Sequence, residues 1–390
     1  MTKDGMDQES YELFLEHLKR YVQERLVPAE KQVVEADKIP DSILKEMQEL
    51  GLFGLSIAQE YGGAGMNASQ YLNTITELSW AAPAYRTTIS VGNGIFGDAL
   101  ANYGTEEQKQ QWLPAVSKGS IASFAITEPD SGSDSAALRT KAEKKADGYV
   151  LNGVKRYITN APMADVVLVM ARTSPEQLPK NAHVSAFLVP TDTPGVSIGS
   201  ADMKMGQSGS QIADVILEDV HLPESALLGE QEGIGFEVAM KSLNNGRLSI
   251  ASASLGYSKR ALDSSIRYAL QRKAFGEPIS NFQLTQAKIA DSKADIYAME
   301  CMLKDAASKL DQGIDIRIEA ACTKMFASEA CGRIVDRVVQ IYGGAGYLRE
   351  YDAERFYRDS RIFRIYEGTT EIMQLFIAKS VLREYQQAFN

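Results

Sequence analysis

Apolar residues recur along this chain with two different periods, and the change of period divides it into three blocks. From about residue 8 to 119, positions such as Tyr11, Phe14, Leu15, Leu18 and Val22 fall on helical spacing, which predicts helices with one face turned to a core. Pro40, Asp41 and Ser42 read as a helix start, and Tyr61-Gly-Gly-Ala-Gly65 as a loop. Between about 121 and 228 the pattern shortens to apolar runs bounded by turn residues. Residues 148–155 read there as a hairpin with Asn152 and Gly153 at its turn, followed by strands at 166–171, 184–190 and 213–217.

Helical periodicity returns near Gly235 and holds in segments at about 236–271, 283–311, 317–342, 350–357 and 369–385. Gly- or Pro-containing breaks separate the long ones, at 275–278, 312–313 and 343–346. The expected fold is therefore mainly α with an inserted β-domain. Its domains fall at 1–120 (helical), 121–230 (β) and 231–390, the last an antiparallel helical bundle.

Composition narrows the function classes. A chain of 390 residues with 44% hydrophobic content can bury a large core. A net charge of −10 and a pI near 5.1 give no basic face with which to neutralise nucleic-acid phosphates. The polar, acidic start MTKDGMDQES is unlike a targeting segment, and no apolar run reaches the ~20 residues that span a bilayer, so a cytoplasmic location is expected. Cys301, Cys322 and Cys331 lack CxxC spacing and read as small core hydrophobes; His17, His183 and His221 stand apart from other ligand types. Neither a metal site nor a Ser-His-Asp triad is expected.

Candidate chemistry centres on Arg361-to-Lys379, RIFRIYEGTTEIMQLFIAK. Glu367 stands there beside Gly368, just ahead of an amphipathic helix for which Thr369 or Thr370 is the N-cap. A carboxylate in that place can lean into an apolar cleft, or simply be stabilised by the helix dipole. Four further stretches carry polar or aromatic groups at element ends. Residues 127–134 (TEPDSGSD) offer hydroxyls and backbone N–H groups, although the same composition makes an ordinary turn. Residues 156–160 (RYITN) place an aromatic beside a hydroxyl, where Tyr157 could cover a flat heterocycle or pack on a sheet. Residues 272–276 (RKAFG) set a basic pair and an aromatic at a helix break. Residues 340–346 (QIYGGAG) permit close backbone approach but are not the GxGxxG fingerprint and do not follow a strand, so a Rossmann site is not supported.

In chain order, TEPDSGSD, YITN, KMGQSGS (204–210), NNGR (244–247), RKAFG, IYGGAGY and IYEGTTEI resemble the acyl-CoA dehydrogenase family over nearly the whole length. NNGR, ISNFQL and RIFRIYEGT look most like the very-long-chain members, whose extra C-terminal membrane-associating domain is not expected in a chain that stops at Asn390. The resemblance implies a helical N-domain, a middle β-barrel or sandwich and a C-terminal four-helix bundle. It also implies FAD, an acyl-CoA substrate, electron-transferring flavoprotein as partner and a homo-oligomer, a tetramer or at least a dimer. The implied reaction removes the α-proton of the thioester and passes the β-hydrogen to the flavin as hydride, giving a trans-2-enoyl-CoA.

Carried over residue by residue, the resemblance makes Glu367 the base. Some members carry the base instead just before an arginine matching Arg247; here that residue is Gly246. Phe124, Ile126, Thr127 and Ser133 would run along flavin and thioester, with Tyr157, Ile158 and Thr159 at the flavin ring; Tyr157 stands where the family often has tryptophan. Arg272, Phe275, Gln283, Gln340, Gly343 and Gly344 would hold the pyrophosphate and adenosine, some across a subunit boundary. Thr369 and Glu371 match FAD contacts that follow the base, Asn244 and Arg247 the pantetheine and acyl entrance, and the Glu367 backbone N–H, next to Gly368, the thioester oxygen.

Arg86 aligns with an arginine that meets the distal carboxylate of glutaryl-CoA in one subfamily, although the accompanying carboxylate is replaced by Ser79. The plainer expectation is that Arg86 turns aside to pair with Glu77 or Asp98. Other readings on the same scaffold are an acyl-CoA oxidase delivering electrons to O2 and a non-catalytic assembly protein; retention of Glu367 and the cofactor stretches argues against the second.

Overall fold

The computed structural model describes residues 5–173 and 180–389. Its first block is helical. Helix α1 (Gln8–Tyr21) starts on Asp7, whose carboxylate accepts the Ser10 N–H at 2.9 Å, and runs through a π-helical turn into α2 (Val27–Ala36). Before α3 (Asp41–Glu49), Pro40 holds the cap position without a side-chain bond, so that start is a backbone break. Helix α4 (Ala68–Leu78) is closed at its N-terminus by a reciprocal Asn67–Gln70 capping box, and α7 (Glu106–Ser117) by Thr105–Gln108. Between them, α5 (Pro83–Val91) continues through a second π-helical turn, Gly92–Phe96, into α6 (Gly97–Tyr103).

The middle block is one curled sheet of seven strands: β1 (Ala122–Ala125), β2 (Lys141–Lys145), β3 (Gly148–Thr159), β4 (Val166–Arg172), β5 (Val184–Pro190), β6 (Val196–Ile198) and β7 (Ile212–Leu222). The order is β1-β4-β2-β3-β7-β6, with β5 added to β4; β1 and β4 run parallel. The expected turn at Asn152 and Gly153 is not one. Those residues lie inside β3, at a register shift against β7 where Asn152 bonds Asp219, and the hairpin instead closes between β2 and β3 after Lys145. Strand β2 reads KAEKK, too charged to show apolar alternation, because only Ala142 of the five faces the core. A second shift, between Lys155 and Ile158, puts Tyr157 at a bulge with φ of 58°.

The last block is the bundle: α8 (Gly235–Gln271), α9 (Gln283–Asp311), α10 (Arg317–Tyr342), the short α11 (Asp352–Ser360) and α12 (Thr370–Phe389). A two-strand ribbon, β8 (Lys273–Ala274) and β9 (Glu277–Pro278), links α8 to α9. Helix α8 is 37 residues long and its middle is rich in serine, alanine and glycine. A Cβ at Gly256 would lie 2.1 Å from the Thr76 carbonyl, so these small residues let α4 press directly on α8. One apolar cluster consequently runs from the first block into the bundle, joining Leu72 and Ile75 to Leu248, Ile296 and Val335.

Buried ion pairs cross the block boundaries. Glu30 of α2 takes the Ala82 N–H at the start of α5 at 2.7 Å and pairs with Arg260 of α8 and Arg355 of α11. Asp359, at the end of α11, accepts the Tyr257 hydroxyl at 2.9 Å and the Gln207 N–H of the middle block. Of the cysteines only Cys331 is core; Cys301 is exposed and Cys322 partly so, because their helices have open faces, which corrects the expectation that all three are buried hydrophobes. Among the described residues no group of His, Cys, Asp and Glu could hold a metal ion, and no helix is long and apolar enough to cross a membrane.

Candidate active site

Glu367 lies in the link between a 3-10 turn (Arg361–Arg364) and α12, with a left-handed φ of 58°; Gly368 follows at 94°. Two consecutive left-handed residues turn the chain sharply, and glycine makes the second step free of Cβ strain. The turn drives the Glu367 side chain into the interior against α8. There Gly246 has no side chain to meet it: a Cβ at that position would stand 2.1 Å from Oε2. The two places at which the family resemblance allows a base thus face the same space, and glycine at 246 leaves it to Glu367.

Oε2 of Glu367 is buried and has no hydrogen-bond partner among the described residues. Burial pushes the carboxyl above its usual range, while Arg86, Arg247 and Lys324 pull it back down. Each of these three cations directs a hydrogen bond elsewhere. Arg86 of α5 donates to Ser249 Oγ at 2.7 Å, Arg247 of α8 to Asn244 Oδ1 at 2.8 Å, and Lys324 of α10 to the Gly368 carbonyl at 2.6 Å. The Arg86 and Arg247 Nε atoms and the Tyr71 and Tyr366 hydroxyls are buried without partners among the described residues. Burial raises both phenols, that of Tyr366 to about 12. A carboxylate that can take a proton stands beside donors with spare capacity, and such a site suits proton abstraction next to a polar group that gains negative charge.

Arg86 does not pair with Glu77 or Asp98. Glu77 lies 3.9 Å from Lys19, and Asp98 accepts from Asn102 and Asn245, each within 3.1 Å. The physical reason is helical phase: α5 is buried on nearly all sides, and Arg86 issues from the face that meets Ser249 of α8.

Asn244 and Arg247 line a cleft of about 890 Å³ between α6, α8 and the α9–α10 connection, with Phe376 of α12 at 5.6 Å from the Arg247 guanidinium. Lys241, Asn245 and Arg317 line it too; Lys241 and Arg317 carried no motif in the sequence, and Asn245 stood inside NNGR without a role of its own.

Of the residues expected at a flavin, the two ring stretches come together. The Arg156 N–H donates to the Thr127 carbonyl at 2.8 Å and the Ser123 hydroxyl to the Thr159 carbonyl at 2.7 Å, so Phe124, Ile126 and Thr127 at the end of β1 adjoin Tyr157, Ile158 and Thr159 at the end of β3. Behind them Glu128 is buried and accepts from the Thr140 N–H and hydroxyl, the Arg139 N–H and Lys155, itself fully buried, at 2.7 Å. Ser133 is exposed on the loop beyond. The Asn160 amide donates to the Thr88 carbonyl at 3.1 Å, tying this corner to α5.

The Arg272, Phe275, Gln283 group and the Gln340, Gly343, Gly344 group share one end of the bundle, because α8, α9 and α10 alternate in direction. Gln340 is 16 residues from Lys324 on α10, roughly 24 Å along the axis. These residues fit an extended cofactor: Phe275 is 97% exposed, and a Cβ at Gly343 or Gly344 would meet nothing within 4 Å. Thr369 caps α12, its hydroxyl accepting the Ile372 N–H at 3.2 Å; Glu371 is exposed in the first turn.

A helical block, a middle sheet and a helical bundle thus converge on an under-bonded carboxylate, in the order that the family resemblance implies. Three family models cover most of the chain: the acyl-CoA dehydrogenase N-terminal domain at 8–120, middle domain at 123–220 and C-terminal domain at 233–382. The human mitochondrial short-chain specific acyl-CoA dehydrogenase is 39% identical over 97% of this chain and 91% of its own. A chain from the structure of the electron transferring flavoprotein of Acidaminococcus fermentans superposes with a TM-score of 0.92 at 34% identity, covering 96% of this chain and 98% of that one. A glutaryl-CoA dehydrogenase from Mycobacterium smegmatis in complex with FADH2 gives 0.89 at 31%, covering 96% and 95%. The chain belongs to the acyl-CoA dehydrogenase family, whose members are FAD-dependent oxidoreductases.

Proposed function

We propose that the enzyme α,β-dehydrogenates an acyl-CoA thioester to the trans-2-enoyl-CoA, with Glu367 as the base that takes the α-proton. The observation that carries this reading is the Glu367 carboxylate itself, buried against Gly246 with Oε2 free of hydrogen bonds among the described residues. Asn244 and Arg247 hold the thioester arm in the cleft, and the Glu367 backbone N–H, at the left-handed turn before Gly368, faces the oxygen on which enolate charge gathers. Phe124, Ile126, Thr127, Ser133, Tyr157, Ile158 and Thr159 hold the flavin end of FAD, and Thr369 and Glu371 flank it beside the base. FAD, when bound, supplies the hydride acceptor.

Arg272, Phe275, Gln283, Gln340, Gly343 and Gly344 serve the adenosine end, with a neighbouring subunit covering the exposed Phe275 in a dimer or tetramer. Electron-transferring flavoprotein is the acceptor, a reading supported by the similarity to a chain of such a flavoprotein's structure. Anaerobic titration of the yellow oligomer with acyl-CoAs, following flavin bleaching, tests the reaction and ranks substrates. No bleaching with any thioester would count against it.

Arg86 favours a second reading of the substrate's far end. A buried guanidinium with a free Nε, bonded only to a neutral hydroxyl among the described residues, needs an anionic or strongly accepting group to complete it. A short acyl chain ending in a carboxylate or other polar group meets that need.

A further inference from the structure

Behind the candidate base stands a charged residue that no motif marked. Lys324 sits in α10, in the alanine-rich run AACTKMFASEA, and is completely buried. Its ammonium donates a hydrogen bond to the Gly368 carbonyl, one residue beyond Glu367, at 2.6 Å. Lys155 is buried equally, yet it pairs directly with a carboxylate, Glu128. Lys324 instead bonds the backbone of the turn that carries Glu367. That backbone is the Glu367–Gly368 turn, with φ of 58° and 94°. A left-handed glutamate is unfavourable unless its surroundings hold it.

We propose that Lys324 is a positioning residue for the base: its ammonium pins the left-handed turn through the Gly368 carbonyl, and its charge helps keep the Glu367 carboxylate ionised away from water. This rests on reading Glu367 as the base. The groups facing Lys324 are Glu367, Arg247 of α8, Glu329 on its own helix and Glu371 of α12; those facing Glu367 also include Arg86 of α5. Burial pushes the Lys324 ammonium down to about 8, so it stays mostly charged at neutral pH. Arg86 and Arg247 also favour ionised Glu367, but each is anchored on a side chain of α8; only Lys324 is bonded to the turn.

The test compares Lys324→Met, which removes donor and charge, with Lys324→Gln, which removes charge and keeps a donor. Both are studied as FAD-loaded oligomers beside the parent and Glu367→Gln. In the methionine variant, plateau turnover should fall on the order of tenfold to a hundredfold. In both variants the acid limb of kcat/KM should move to higher pH, so the loss is greater at pH 6 than at pH 8. Infrared difference spectra against Glu367→Gln give a reading independent of turnover: the Glu367 carboxylate band should titrate at higher pH once the lysine charge is gone. An acid limb and a carboxylate band that stay at the parent's pH in Lys324→Gln overturn the inference, and that variant decides alone if Lys324→Met yields no flavoprotein. If Glu367→Gln turns over at the parent rate, the base reading fails and takes this inference with it. If Glu367→Gln is inactive while the lysine variants titrate like the parent, only this inference fails.

Discussion

Two glutamates that turn carboxylate oxygens into the interior are treated in opposite ways. Glu30 is saturated: Oε1 accepts the Ala82 N–H and Arg260 Nη1, and Oε2 accepts Arg260 Nη2 at 2.8 Å and Arg355 Nη2 at 2.6 Å. Glu367 also has cations around it, but they are bonded to Ser249, Asn244 and the Gly368 carbonyl, and its Oε2 has no partner among the described residues. A carboxylate whose lone pairs are all taken cannot accept a proton without breaking bonds, so it serves as a fastener. One held near cations without direct bonds still has a place for the proton.

The largest expected effect separates the two by rate. Glu367→Gln should lower the rate of flavin reduction by acyl-CoA by about 10²- to 10⁴-fold while the chain folds and keeps FAD. Its stability should change in the unusual direction. Because burial raises the folded-state carboxyl above its unfolded value, the folded parent binds the proton more tightly, and its stability falls as pH rises through the window between the two. The glutamine variant lacks that loss and should match or exceed the parent in thermal midpoint at pH 7. A lower midpoint would mean that Glu367 is a fastener too.

Glu30→Gln should give the reverse pattern. It leaves two buried arginines, Arg260 and Arg355, to share the half-exposed Asp352, and breaking a buried pair in this way costs up to about 3–5 kcal/mol. Urea unfolding should register that loss, with flavin reduction in the surviving folded fraction near the parent's.

Gly246→Ala probes the space that lets Glu367 stay unbonded. The new Cβ would fall 2.1 Å from Oε2, and the carboxylate, as the end of a flexible side chain, would have to move aside. Displacement of about 1 Å costs up to ~100-fold in rate, so flavin reduction should drop substantially at little change in midpoint. Unchanged reduction kinetics would show that Glu367 does not react from this position.

The sequence carried the fastener and the proposed base unequally. Glu367 was legible because the residues that make its turn, Gly368 and the Thr369 cap, are its neighbours in the chain. The long helices were legible for a similar reason, since periodicity is local; 283–311 and 317–342 are the observed bounds of α9 and α10. Strand β2 was missed because four of its five residues are charged, and Asn152-Gly153 misled because a local turn signal yields to pairing along β3 and β7. Glu30 and Lys324 left no trace at all, and Glu128 and Lys155 stood inside the stretches 127–134 and 148–155 with no role of their own. Their meaning lies in partners 11 to 325 positions away, and a buried charge looks in sequence like any solvated one.

Arg86 offers the smallest effect and the finest discrimination. It shares with Glu30 the property of a buried charge and with Glu367 that of unused hydrogen-bonding capacity: it gives one bond to Ser249 and leaves Nε unsatisfied among the described residues. Replacing it alters two things, the recognition of the substrate's far end and the field that favours ionised Glu367. The second acts on every substrate alike and cancels in a ratio. Arg86→Leu should therefore lower turnover of both glutaryl-CoA and hexanoyl-CoA toward acid pH, and reduce the ratio of their kcat/KM values by a further ~10-fold or more, the worth of a charge-assisted hydrogen bond. If Arg86 serves only the field around the base, the two rates fall together and the ratio stays where it was, which would leave a dicarboxylate substrate without support.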